Sequence, residues 1–139
     1  MAEARCRYLA RDLPGAEIAA RRALADARRG HFQERLPGHI ELGRILSASG
    51  KTREAISGLR THLAEIESRP GYTALGFEAR LALGEVELML GMTEGRARLR
   101  ALQQEARRRE FLRMSRLAGE ALDRPRSTSR TARSTPIGP

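Results

Sequence analysis

Apolar residues recur along this chain at helical intervals. Ala55, Ile56, Leu59, Leu63 and Ile66 fall at i, i+1, i+4, i+8 and i+11, which gathers them on one face of a helix. Ala16, Ala19, Ala20, Ala23 and Ala27 make a slimmer stripe of small side chains. Between 74 and 90 two stripes coexist, one of Leu75, Ala79, Ala82, Leu83, Val86 and Leu90, the other of Phe77, Leu81 and Leu88. A helix that is apolar on two sides is expected to lie between two neighbours. Thr73 is expected to cap it, with Tyr72 packing on Phe77 as a hydrophobic staple.

Breakers separate these runs. Leu13-Pro14-Gly15, Gly30, Pro37-Gly38, Gly50, Pro70-Gly71 and Gly91 each suit a helix stop or entry. Seven helices are predicted, over about 2–12, 15–29, 37–49, 52–68, 74–90, 93–109 and 111–123. The last sets Phe111, Met114, Ser115, Ala118, Ala121 and Leu122 against Arg113, Arg116, Glu120 and Asp123, as a capping helix would. Residues 124–139 hold Arg, Ser, Thr and Pro with Ile137 the one large apolar residue, too little burial to offset ordering entropy, so a disordered tail is expected. The chain thus divides into a helical domain, 1–123, and a tail.

Self-comparison adds a repeat. Leu42-Gly43 through Gly50-Lys51-Thr52 returns as Leu83-Gly84 through Gly91-Met92-Thr93 at an offset of 41. In both, a small residue precedes the turn glycine by seven, and Ala55 and Leu59 then open the return helix where two antiparallel helices touch. An earlier unit aligns at an offset of 36, with Pro14 on Gly50, Ala19 on Ala55 and Ala23 on Leu59. Helix pairs of this size cannot bury an apolar face alone and stack into solenoids.

Leu42-Gly43, Leu46, Gly50, Ala55 and Leu59 stand where the tetratricopeptide repeat places its Leu-Gly, its aromatic-type position, its turn Gly, its Ala and its second large apolar residue. Residues 1–122 therefore resemble a tetratricopeptide array. The stretch from Phe77 to Glu87, followed by Gly95 to Leu99, looks like the terminal repeats of bacterial proteins in which such arrays follow a winged-helix or a Ser/Thr kinase domain. The spacings exceed the family's period of about 34. Arg7 stands where a small residue is expected, Glu87 where a bulky apolar one is, and Arg96 where Ala is. The resemblance implies an all-α, right-handed stack of antiparallel helix pairs. It also implies a concave groove lined by the first helix of each pair, with Glu41, Arg44, Ser47, Glu78, Glu85 and Met89 as groove-facing candidates. Their mixed charge fits a peptide or protein partner and lacks the Lys/Asn/Arg set of chaperone-tail clamps.

Composition agrees with the class. Ala (21) and Leu (18) far outnumber Ile (6) and Val (1), and aromatics are 4%, which favours helices over strands. Arginine supplies 25 of the 26 cationic residues and Asn is absent, a pattern that points to GC-rich coding, so the net charge of +9 carries reduced weight. Four of those arginines lie in the tail. Nucleic acid remains the secondary partner class, in the setting of a winged-helix regulator, with Arg107-Arg108-Arg109 as a phosphate contact. The expected setting is cytoplasmic and soluble. Cys6 is alone, the N-terminus lacks an apolar signal segment, and no stretch reaches the ~18 apolar residues of a membrane span.

Candidate chemistry does not assemble. Residues 45–52 approach G-x-x-x-x-G-K-[ST], but Ile45 replaces the first glycine and no strand precedes it, so a helix, a turn glycine and a capping Thr52 are expected instead. His31, His39 and His62 have no metal-ligand spacing and Cys6 lies two helices away, so surface or interhelical histidines are expected and no metal or cofactor. Glu78, Glu85 and Glu87 read as a solvated face rather than a general acid/base pair, with Glu87 rotated away from the other two. No catalytic role is expected. The first pair lacks an evident polar cap, so Leu9, Leu13, Ile18 and Leu24 are expected to expose an apolar patch that favours self-association.

Overall fold

The computed structural model describes residues 1–27 and 32–124. All regular structure among them is helical: α1 (Ala2–Leu9), α2 (Leu13–Asp26), α3 (Phe32–Ala48), α4 (Thr52–Glu67), α5 (Thr73–Met89), α6 (Thr93–Arg108) and α7 (Leu112–Asp123). Each helix packs on its successor, and α5 also meets α3 and α7. The expected break at Gly30 and the expected disorder of the tail beyond Arg124 lie outside the described residues.

Several boundaries differ from expectation: α1 ends at Leu9 rather than near 12, and α2 runs Leu13–Asp26 rather than over 15–29. α3 begins at Phe32 and carries Pro37 inside it. At the sixth position of α3, Pro37 forgoes one intrahelical i→i−4 bond while the helix continues through it. The following Gly38 lets α3 close on α2: a Cβ there would lie 2.8 Å from Leu24 Cδ2. Pro37-Gly38 is thus a close approach rather than a stop. The caps also move by one residue. Tyr72 and Lys51, not Thr73 and Thr52, occupy the N-cap positions of α5 and α4, without a side-chain capping bond. The left-handed glycine that ends one helix leads into the next with a single residue between them. Among the described residues, Asp12 provides the side-chain cap that makes a bond, its carboxylate accepting from the Gly15 amide at 3.0 Å.

Turn geometry sets the phase of the repeat. Lys51 N–H donates to Leu46 C=O at 2.9 Å around Gly50 (φ 78°), and Met92 N–H to Glu87 C=O at 3.0 Å around Gly91 (φ 72°). The same six-residue closure recurs where Asp12 N–H donates to Arg7 C=O at 3.0 Å around Arg11 (φ 62°). These are Schellman turns. Arg11, not Pro14, is therefore the equivalent of Gly50, which corrects the alignment of the first unit. The small residue seven before it is the fully buried Ala4, matching Gly43 and Gly84, so Arg7 does not fill the small position.

A fourth such turn ends α6 at Glu110 (φ 63°). A side chain held in left-handed backbone costs about 1–2 kcal/mol, more than the roughly 0.5–1 kcal/mol entropy penalty of glycine. Arg11→Gly and Glu110→Gly are each expected to raise stability by up to about 1 kcal/mol. The check is a higher denaturant midpoint at an unchanged m-value.

The core is layered about α5. Ala79, Ala82, Leu83 and Val86 pack with Leu36, Ile40 and Leu46 of α3 and with Ile56, Leu59, Leu63 and Ile66 of α4. Phe77 and Leu81 pack with Leu99, Leu102 and Ala106 of α6 and Met114, Ala118 and Ala121 of α7. The two stripes read in the sequence thus serve two separate clusters. Phe77 stands edge-on to Phe111 at 5.1 Å, whereas Tyr72 joins the α3–α4 cluster, so the staple expected between Tyr72 and Phe77 is divided between layers. Leu90 is the C-cap residue of α5 and is half exposed. On α7 the polar residues Arg113, Arg116, Glu120 and Asp123 face solvent while Met114, Ala118 and Ala121 are buried, the amphipathic split expected there.

Candidate functional site

Residues i, i+7 and i+11 share a helix face. Glu78, Glu85 and Met89 accordingly line one side of α5, opposite Arg80 and Glu87. Glu78 and Glu85 are half-buried and Met89 is 65% exposed. Glu85 accepts from Arg124 Nη1 at 3.2 Å, just beyond α7. On α3, Glu41 and Arg44 are half-buried, 3.8 Å apart as an ion pair. Ser47 is buried, with its hydroxyl lacking a hydrogen-bond partner. It does not present its side chain to solvent.

The corrected phase identifies further residues. With Arg11, Gly50 and Gly91 equivalent, Arg5 corresponds to Arg44 and Glu85, and Leu9 corresponds to Ala48 and Met89. Arg5, Leu9, Ala48 and Met89 are all exposed, Leu9 at 72%. Arg5 and Leu9 escape a search for turn glycines because an arginine occupies the first turn, and Ala48 joins them only through its correspondence with Leu9 and Met89. The signal that finds them is Ala4, a small buried residue seven positions before Arg11.

On the opposite side α5 is clamped by charge. Arg80 Nε donates to Glu67 of α4 at 2.8 Å and its Nη1 to Glu105 of α6 at 2.6 Å. Two turns on, Glu87 accepts from Arg60 of α4 at 2.9 Å and from Arg98 of α6 at 3.0 Å. Glu87 has no exposed surface, which corrects the expectation that it sits on a solvated face. Burial pushes its carboxyl up, and the Arg98 and Arg60 guanidiniums outweigh that, leaving it below the ordinary carboxylate range. Beside it the small position expected at Arg96 is filled by the buried Gly95 instead, one residue earlier.

The P-loop-like segment is a helix end. Gly50 closes the turn after α3, and Lys51 donates to both carboxylate oxygens of Glu17 on α2, at 2.8 and 2.9 Å. His39 and His62 stack between α3 and α4, with ring centroids 3.5 Å apart at 23°. Burial holds His62 below its ordinary value, against the opposing pull of Glu65. Among the described residues no group of three His, Cys, Asp or Glu is placed to hold a metal ion, and no helix is long and apolar enough to cross a membrane. Comparison with protein-family models, with curated proteins and with solved structures gives no match.

Proposed function

We propose that this chain is a non-catalytic protein-interaction scaffold, a tetratricopeptide-like right-handed stack of antiparallel helix pairs. It binds a partner segment along the face shared by the first helix of each pair. The observation that supports this is the phased ladder on α1, α3 and α5: Arg5, Arg44 and Glu85 in one row, Leu9, Ala48 and Met89 in the next. Aliphatic rungs flanked by mixed charge suit an extended peptide that has apolar side chains at intervals and both charges. A cytoplasmic setting belongs to the same reading, supported by the exposed free thiol of Cys6.

Selection from a random peptide library against the full chain tests the proposal. Peptides that bind wild type and Leu112→Asp, an exposed change on α7, are expected to lose at least about tenfold in affinity for Leu9→Asp/Met89→Asp. Equal binding to all three proteins would remove the groove reading. Leu9 and Ile18, 72% and 69% exposed, also support self-association of the first pair, although Leu24 is buried and does not contribute to that patch. Sedimentation of the same variants across a dilution series reads it directly.

The exposed Arg107 and Arg108 favour the second reading, a regulator that contacts nucleic acid. Binding to random duplex DNA that falls steeply with salt and survives deletion of 124–139 would favour it over the scaffold.

A further inference from the structure

One face of α4 and the turn from α5 to α6 border an open groove of about 540 Å³. Arg53, Ser57, Arg60 and Thr61 reach it from α4 at i, i+4, i+7 and i+8, which share a helix face, and all four are exposed. Ile56 lies among them, 9% exposed. Leu90 and Met92 line the other side, and Leu90 keeps 49% of its surface in water although its helical spacing belongs to the α5 core stripe. The groove thus joins an apolar strip to accessible cations and hydroxyls.

Its charge is one-sided. No acidic side chain lines it. Arg53 makes no ion pair among the described residues, and the neighbouring Glu54 is turned to Arg21 on α2. Arg60 gives one nitrogen to Glu87 at 2.9 Å and remains about half exposed. Glu87 is shared with Arg98, so that clamp keeps a positive charge in excess, to which Arg53 adds another. Arg53 and Arg60 stand two turns apart, about 10 Å along α4. An extended chain, at about 3.3 Å per residue, spans this with carboxylates three positions apart. Between them Ser57 offers a hydroxyl to a backbone carbonyl or a carboxylate, beside an aliphatic strip that suits one large apolar side chain. Nucleic acid fits this surface less well, because no aromatic ring is present to stack a base and only two cations meet the groove.

We propose that this groove docks an acidic peptide segment of a partner protein. Two carboxylates about three residues apart pair with Arg53 and Arg60, and a large apolar side chain between them packs on Ile56, Leu90 and Met92. The groove is built on α4, the second helix of its pair, and does not depend on the ladder on α1, α3 and α5.

Selection from a random peptide library against the full chain, with the sequences read out, tests this. A set rich in Asp and Glu around a large apolar residue is expected, binding Arg53→Gln and Leu90→Ser at least about tenfold more weakly than wild type. The same peptides are expected to bind Leu9→Asp, which alters the ladder, and Arg113→Gln, which removes an equal charge from an exposed site on α7, as tightly as wild type. Exchanging the Asp and Glu of a selected peptide for their amides is expected to cost at least as much as Arg53→Gln. Denaturant midpoints of the variants separate lost docking from lost folding. If Leu90→Ser fails to fold, Arg53→Gln decides alone, since that side chain is exposed and unpaired among the described residues. The proposal is overturned if no selected peptide is weakened by Arg53→Gln, if the amide peptides bind equally well, or if Arg113→Gln weakens binding as much. Binding of random duplex DNA, or self-association across a dilution series, that is lost in Arg53→Gln would assign the groove to phosphates or to a second copy and overturn it as well.

Discussion

Gly95→Ala is expected to destabilise the chain by about 3 kcal/mol, near the top of the range for overpacking a close helix contact. At this position α6 lies directly on α5. A Cβ would meet the Leu88 amide nitrogen at 2.5 Å, Glu87 Cβ at 2.8 Å and the Gly84 carbonyl oxygen at 2.8 Å. Two of these are backbone atoms within α5, so relief requires moving one helix against the other and loosens the cluster that Phe77 and Leu99 share. Gly84→Ala meets mainly the Leu99 side chain, at 2.8 Å, which can shift in part, and the expected cost falls to about 1–2 kcal/mol. Gly58→Ala provides the opposite sign. Nothing lies within 4 Å of its Cβ position, and replacing a helical glycine there is expected to stabilise by about 0.5–1 kcal/mol. Denaturant midpoints for the three variants should fall in that order. A neutral Gly95→Ala would show that the close contact of α5 and α6 is wrong.

Glu87→Ala is expected to cost about 2 kcal/mol at neutral pH. The side chain is fully buried and accepts charge-assisted bonds from two helices, so its removal unties α4 and α6 from α5 together. The full penalty of a broken buried ion pair does not apply, because Arg60 is about half exposed and can turn to water. The same carboxylate makes stability depend on pH. Its folded pKa lies below the ordinary value of 4.5, so the unfolded chain takes up the proton first as pH falls. The contribution of Glu87 is present in full above that value and is lost as pH descends toward the folded pKa. Glu87→Gln is expected to be less stable than wild type at pH 7 and to show a shallower loss between pH 5 and pH 3. Identical acid limbs in the two proteins would exclude Glu87 as a source of the slope.

Helical class, helix number and the double-sided role of α5 were legible because they rest on periodicity, which needs no partner to be known. Leu83 and Leu81 announce two faces on their own. The clamp was not legible. Glu87 fits a solvated helix face as well as a buried one, and only the positions of Arg60, before the Pro70-Gly71 turn, and Arg98, beyond another turn, decide between them. The first repeat was placed out of phase for a related reason. A left-handed turn is advertised by glycine, and Arg11 adopts it under tertiary constraint without that signature. Of the candidate groove residues, Glu78, Glu85 and Met89 share a face because helical spacing alone dictates it. Ser47 followed from an inherited register, and the burial of its side chain could not be read from three-residue spacing on α3.

The two charge clamps on α5 have opposite signs, arginine between acids at one end and glutamate between arginines at the other. Reversing the central member leaves like charges facing each other unless both outer members reverse as well, and reversing an outer member sets it against the centre. Positions 60, 87 and 98 therefore constitute one heritable character, and positions 67, 80 and 105 another. In lineages descended from this chain, changes at these sites are expected to be inherited as sets. A recombinant that takes α5 from one parent and its flanking helices from a charge-reversed parent would bring arginine against arginine, which makes the borders of α5 poor places for a crossover.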